Sequence, residues 1–396
     1  MGELISSPTT HYEAQKFLGC GTYGLVIQCR DVTTNETVAL KMFKRMKDVK
    51  NAKEEEDILR ALKELHSEWF NIVRLIGSFT YERHYCLVFE HLDMDLQKFM
   101  EINPGQHLQL KQIRPILQQL ATSLDFLKSA GFIHSDLKPE NILMVDPVRQ
   151  PLKVKLIDFG LACNNPGEQT GHTLQTLWYR SPEILQGVPF NEAIDVWSLG
   201  CIAAELFMGR PLFPALDETS LRRQIVFTKP LHERDFTPYW FWPKYWMESR
   251  FMAIHQSWGE DVQAEYFDLE CFIDLLAQML MTNQSERIHP RRILQHPFIT
   301  MSHLKGPFKN SLYMKSSEGL MDICQNQSSD DGAHVDHMVQ RMSLNEDSSS
   351  STAGPAMEGS PAGMRDENHS FLQNSIITRG KKRKLNAKLK EWQQTS

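Results

Sequence analysis

The chain has 396 residues, a hydrophobic fraction of 41% and a formal net charge of -6, values of an ordinary globular protein long enough for more than one core. The acidic balance argues against a nucleic-acid binder that works over its whole surface, so no direct nucleic-acid binding is expected. The seven cysteines (Cys20, Cys29, Cys86, Cys163, Cys201, Cys271 and Cys324) are odd in number, scattered and without paired metal-ligand spacing, which excludes a disulfide scaffold and points to a reducing compartment.

No apolar run approaches the roughly 20 residues of a membrane span, and the N-terminus lacks the basic-then-apolar order of a secretory signal. An intracellular protein of nucleus or cytoplasm is expected. Met1-Gly2 with Ser6 fits the loose N-myristoylation pattern, against which Glu3 counts.

Residues 1–11 read as an N-terminal extension, and residues 12–89 as a small sheet lobe. Gly19-Cys20-Gly21-Thr22-Tyr23-Gly24-Leu25-Val26 gives GxGxxGxV, either a dinucleotide fingerprint or a phosphate-binding loop. A dinucleotide loop follows a strand and opens a helix; here β-prone Leu25-Val26-Ile27 follow, which favours the phosphate loop. Thr33-Thr34-Asn35-Glu36 is a hairpin turn into a second strand, Val38-Ala39-Leu40, which ends in Lys41. A cation there needs partners unless it sits at a solvent-facing edge. Glu55, Ile58, Leu59 and Leu62 then share one helical face, so Glu55 turns inward with an apolar stripe and can pair with Lys41. Glu54 and Glu56 are alternatives, but helical phase favours Glu55.

Past Phe89 the pattern becomes helical. Ile113, Leu117, Leu120, Leu124 and Leu127 keep one apolar face, and Gly131 ends that helix. Further helices are expected at Ala193 to Phe207 and at Leu269 to Met281. Between Pro211 and Trp258 an irregular insert is expected, with Trp240, Trp242, Trp246 and Trp258 as packing anchors. Beyond Ile299 the composition shifts to Ser, Asp, Asn, Gly and Met, which predicts a disordered tail over 300–396. It contains the basic cluster 379–384, read either as a nuclear-import signal or as a solvated charge run.

The chemistry concentrates in His134-Ser135-Asp136-Leu137-Lys138-Pro139-Glu140-Asn141 and Ile157-Asp158-Phe159-Gly160. Asp136 can orient an attacking hydroxyl and accept its proton. Lys138 can neutralise charge on a moving phosphoryl group. Asn141 and Asp158 offer the hard oxygen donors that magnesium prefers. With the glycine loop and Lys41 in the same order, these residues match a phosphoryl-transfer template using ATP and Mg2+.

From Tyr12 to Ile299 the chain resembles the eukaryotic protein kinases, which implies an α+β bilobal fold: a small antiparallel sheet lobe with one helix, a hinge at about 90–92, and a larger helical lobe over 93–299. Ser181-Pro182-Glu183 resembles the family's APE motif, with Arg287 as the implied buried partner of Glu183. Asp195-Val196-Trp197-Ser198-Leu199-Gly200 resembles the helix that supports the catalytic loop. The resemblance implies that Gly19, Cys20, Gly21, Thr22, Tyr23, Gly24, Val26, Ala39 and Lys41 hold ATP. Phe89, Glu90 and Leu92 would meet adenine, with Phe89 as gatekeeper and the hinge backbone as hydrogen-bonding partner. Lys138 after Asp136 implies Ser/Thr specificity. The run from His134 to Pro151 is similar to the homeodomain-interacting protein kinases, relatives of the dual-specificity tyrosine-regulated kinases. That group implies protein substrates, a proline after the phosphorylated Ser or Thr, and partners among transcription regulators. Thr173, Thr176, Tyr179 and Arg180 fall in the implied activation loop.

Two positions depart from the pattern. Ser135 stands where an arginine usually docks a phosphorylated activation loop. Thr173 stands where the narrower family carries a self-phosphorylated tyrosine, so either Thr173 takes the phosphate or the switch is lost. The rival to an active kinase is a kinase-fold scaffold that binds nuclear partners.

Overall fold

The computed structural model describes residues 4–20, 24–43, 48–103, 107–227 and 259–325. Its first lobe is an antiparallel sheet of β1 (Leu4–Ser6), β2 (His11–Cys20), β3 (Gly24–Asp31), β4 (Thr37–Phe43), β5 (Leu75–Tyr81) and β6 (His84–Glu90), in the order β1-β2-β3-β4-β6-β5. Successive strand side chains point to opposite faces. Val38 and Leu40 therefore join Ile27, Cys29, Cys86 and Val88 in one buried cluster, while Phe43 belongs to another that continues into the second lobe. Lys41 shares the parity of Phe43, and its ammonium lies 5.2 Å from that ring. The phase of one strand thus turns Lys41 away from the outer cluster. A Cβ on Gly24 would come within 2.4 Å of the Met42 carbonyl oxygen, so only glycine lets β3 pair this closely with β4.

Helix α1 (Asp48–Glu64) packs across the sheet with Ala52, Leu59 and Leu62 buried. The second lobe follows as α2 (Leu96–Ile102), α3 (Leu110–Ser129), the hairpin β7 (Ile142–Asp146) and β8 (Gln150–Leu156), α4 (Pro182–Gln186), α5 (Ala193–Met208), α6 (Glu218–Phe227), α7 (Glu260–Met279), α8 (Pro290–Gln295) and α9 (Pro297–Thr300). After α3 the chain turns at Gly131, whose φ of 78° is the left-handed conformation that ends a helix. The lobes are stitched behind the cleft: Val73 N–H donates to the Leu156 carbonyl (3.0 Å) and Leu156 N–H to that of Asn71 (2.8 Å). Lys155 donates to Glu90 Oε1 at 2.6 Å.

Four sequence expectations are corrected. The sheet begins before Tyr12, because β1 pairs with β2 through Ile5 opposite Tyr12 and buries Ile5. Within the expected irregular insert, α6 forms: Asp217 accepts the Ser220 N–H at 2.7 Å, and Leu221 and Ile225 bury one face. Helix α7 starts well before Leu269, at Glu260; its early turns mix charged residues with Val262, Tyr266 and Phe267 and bury only Ala264 and Asp268. Regular structure continues past Ile299 as α10 (Ser302–Lys305) and α11 (Leu312–Gln325), because Leu304, Phe308, Met314 and Met321 close over Ala264. The remaining tail with its basic cluster, the four tryptophans of the insert and Gly2 lie outside the described residues.

Candidate active site

Lys41 Nζ donates to both carboxylate oxygens of Glu55 at 2.7 Å and to Asp158 Oδ1 at 2.9 Å. Burial works against the lysine charge, but the Glu55 and Asp158 carboxylates overcome it and hold the Lys41 pKa above its ordinary value. Burial likewise opposes the Asp158 charge, and Lys41 more than offsets it, so that carboxyl sits below its ordinary range. The cation and the Asp158 anion therefore persist at neutral pH. A Cβ on Gly160 would approach Asp158 Oδ1 to 3.4 Å, so glycine leaves room beside this pair.

Polar residues of the segment from His134 to Asn141 converge on Asp136. Its Oδ1 accepts the Thr176 hydroxyl at 2.7 Å, and its Oδ2 accepts Lys138 Nζ at 2.6 Å and Asn141 Nδ2 at 3.2 Å. Asn141 Nδ2 also donates to the Asp136 carbonyl at 2.9 Å, which turns the amide nitrogen inward and leaves the side-chain oxygen as the group free for a cation. Asp195 on α5 anchors the loop from below, accepting the His134 and Ser135 N–H groups at 2.7 and 2.9 Å. Burial pushes the Asp195 carboxyl up to about 6, against the pull of those two bonds. His134 packs edge-on against Phe159, ring centroids 5.0 Å apart, so the loop and the Asp158 segment brace each other.

Three non-glycine residues here hold positive φ: Ser135 (65°), Asp158 (63°) and Gln175 (61°). Such conformations cost about 1–3 kcal/mol each and persist where surrounding bonds over-determine them. Those bonds are on hand. Gln175 N–H donates to the Ser135 carbonyl at 3.0 Å, and the Gln175 side chain donates to Ile194 O (2.9 Å) and Ser198 Oγ (2.8 Å) while accepting Ser181 N–H (2.9 Å).

The residues expected to hold the nucleotide take places on the sheet and just after it. Ala39 on β4 stands opposite Phe89 on β6, Gly19 and Cys20 close β2, and Gly24 and Val26 open β3. Gly21, Thr22 and Tyr23 lie outside the described residues. The Glu90 side chain is turned to Lys155 and to the Arg74 N–H (2.7 Å), and its own N–H donates to the Arg74 carbonyl (3.2 Å). Leu92 is buried.

Comparison with known proteins decides the family. The profile described as protein kinase domain matches residues 12–299. The chain belongs to the protein kinase family. It is 40% identical over 364 residues to homeodomain-interacting protein kinase 2 of Mesocricetus auratus, a match covering 82% of this chain and 31% of that protein. It is 40% identical to homeodomain-interacting protein kinase 1 of Mus musculus (82% and 30%) and 33% identical to homeodomain-interacting protein kinase 4 of Homo sapiens (79% and 59%). All three relatives are homeodomain-interacting protein kinases by name. The chain spans about a third of the length of the first two relatives.

In this kinase domain the four residues expected in an activation loop meet different fates. Thr173 is exposed, and Thr176 is bound to Asp136. Tyr179 is buried and donates its hydroxyl to Glu205 at 2.7 Å. Arg180 is spent on Glu218 (2.7 Å) and on the carbonyls of Leu174 and Gln175 (both 2.9 Å). Ser135 is fully buried with its hydroxyl 3.8 Å from Cys163 Sγ. Among the described residues no helix is long and apolar enough to cross a membrane.

Proposed function

We propose that this chain transfers the γ-phosphoryl group of ATP to serine and threonine hydroxyls of proteins. What carries the reading is the meeting of Lys41 with Glu55 and Asp158 beside the Asp136, Lys138 and Asn141 cluster. Asp136 takes the proton of the attacking hydroxyl, and Lys138 and Lys41 neutralise charge as the phosphoryl group moves. Gly19, Cys20, Gly21, Thr22, Tyr23, Gly24, Val26, Ala39, Phe89 and Leu92 line the nucleotide, with the Glu90 backbone at its base. Asn141 and Asp158 fit magnesium through the chemistry of their donors, an amide oxygen and a carboxylate, and they are the residues that would hold it. The ion supplies charge neutralisation on the triphosphate.

A scaffold without catalysis is not favoured, since its usual mark is a lost lysine, base or metal-ligand residue and each position is kept. Incubating the purified chain with labelled ATP, magnesium and a Ser/Thr peptide array tests the reading. Phosphate should enter peptides, preferentially those with proline after the acceptor, and Lys41→Met should remove the transfer. Equal incorporation by wild type and Lys41→Met, or none by either, overturns it.

Substrates among transcription regulators follow from the names of the relatives and from nuclear residence through the basic cluster. Replacing Lys381, Lys382, Arg383 and Lys384 with alanine is expected to disperse a fluorescent fusion from the nucleus. An unchanged distribution dismisses the signal.

A further inference from the structure

Helix α1 carries two adjacent carboxylates tied to different strands. Glu55 faces Lys41 on β4. Glu56 accepts the Ser78 hydroxyl of β5 at 2.6 Å, the Tyr85 hydroxyl of β6, and Arg60 Nε at 2.7 Å. Its side chain is only 8% exposed, and burial, which raises its pKa, is outweighed by bonds from Ser78, Tyr85 and Arg60, so it stays ionised at neutral pH. Arg60, one helical turn on, completes the ring by donating to Ser78 Oγ at 3.3 Å. Glu56 has no part in the cleft itself, and the phosphoryl-transfer template makes no use of it.

The remaining grip on α1 comes from Ala52, Leu59 and Leu62, whose apolar packing is non-directional and resists separation more than rotation, and from Lys63 in its last turn, which donates to the Leu75 carbonyl of β5 at 3.1 Å. Hydrogen bonds are directional. Neighbouring helix residues are separated by about 100° of rotation, so fixing Glu56 against β5 and β6 sets the direction in which Glu55 points. Register makes the tie short. Tyr85 lies two residues before Leu87, which pairs with Lys41 across β4 and β6. Resting on the kinase reading of the site, we infer that the Glu56–Tyr85–Ser78–Arg60 clasp is a positioning device that holds α1 in the rotation where Glu55 reaches Lys41.

Tyr85→Phe removes one hydroxyl and keeps the ring, and Ser78→Ala does the same on β5. Each is expected to lower kcat/KM for ATP about tenfold, the effect of losing one hydrogen bond to a charged group. In a Glu55→Gln background the same changes should cause no further loss, because the clasp acts through Glu55; their effect on Tm should be alike in both backgrounds. Glu56→Gln, which keeps an acceptor oxygen, should retain more activity than Glu56→Ala. Hydrogen exchange of α1 amides should quicken in Tyr85→Phe. Unchanged kcat/KM, an equal loss in the Glu55→Gln background, or unchanged α1 exchange each overturns the clasp. A silent wild type overturns the kinase reading instead, and α1 exchange then decides the clasp alone.

Discussion

Asp136→Asn is expected to lower phosphoryl transfer by about 10²- to 10⁴-fold, the usual contribution of a general base, while the thermal stabilisation by ATP and magnesium survives. The separation follows from geometry. Asp136 is bonded to Thr176, Lys138 and Asn141, whereas the Lys41, Glu55 and Asp158 cluster is a distinct set of contacts. Asparagine matches aspartate in size and keeps an oxygen for the Thr176 hydroxyl, but its amide cannot take up a proton. Rate measured with a peptide substrate and Tm measured with and without nucleotide read the two effects independently. A variant within tenfold of wild type would show that Asp136 is not the base. Loss of the ATP-induced shift would mean that the substitution disturbs the nucleotide cluster rather than proton transfer.

The site was legible in the sequence wherever residue type and spacing demanded one chemistry. Helical phase chose Glu55 among the glutamates, and β4 alternation sends Lys41 to meet it. Phase alone could not tell what Glu56 does, because its partners Ser78 and Tyr85 lie 22 and 29 residues further along the chain. Gln175 carries no sequence signal: an amide in an activation segment becomes a fastening point only once Ile194, Ser198 and Ser181 are brought around it. Helix α7 was missed at its start for a related reason. Asp268 is fully buried against Arg114, His303 and Tyr313, and a buried charge interrupts the apolar periodicity that marks a helix. Helix α11 hid behind tail-like composition, yet Met314, Ser317 and Met321 recur at helical spacing and are buried. For Glu56, Gln175 and Asp268, what the sequence could not carry was a polar residue buried by partners brought in from elsewhere in the chain.

The largest stability effect is expected at Arg287. Its guanidinium donates to both oxygens of Glu183 (2.6 and 3.0 Å), to the carbonyls of Ala193 (2.7 Å) and Met281 (2.9 Å), and lies 5.3 Å from the Trp197 ring. Both side chains are almost wholly buried. Arg287→Ala leaves a buried carboxylate and two carbonyls without their donor, which costs about 3–5 kcal/mol, whereas exchanging both partners for apolar residues costs less. For a domain of this size that corresponds to a fall in Tm of roughly 10 °C, measurable by thermal or urea unfolding. Arg287→Lys should restore little, because an ammonium cannot reproduce the two parallel bonds of the fork. Glu183 lies in α4, directly after the segment held by Gln175 and Arg180, so the loosened variant should lose peptide affinity before it loses nucleotide affinity. A cost below about 1 kcal/mol, the range of an exposed pair, would show that this ion pair is not what pins the activation segment to the helical lobe.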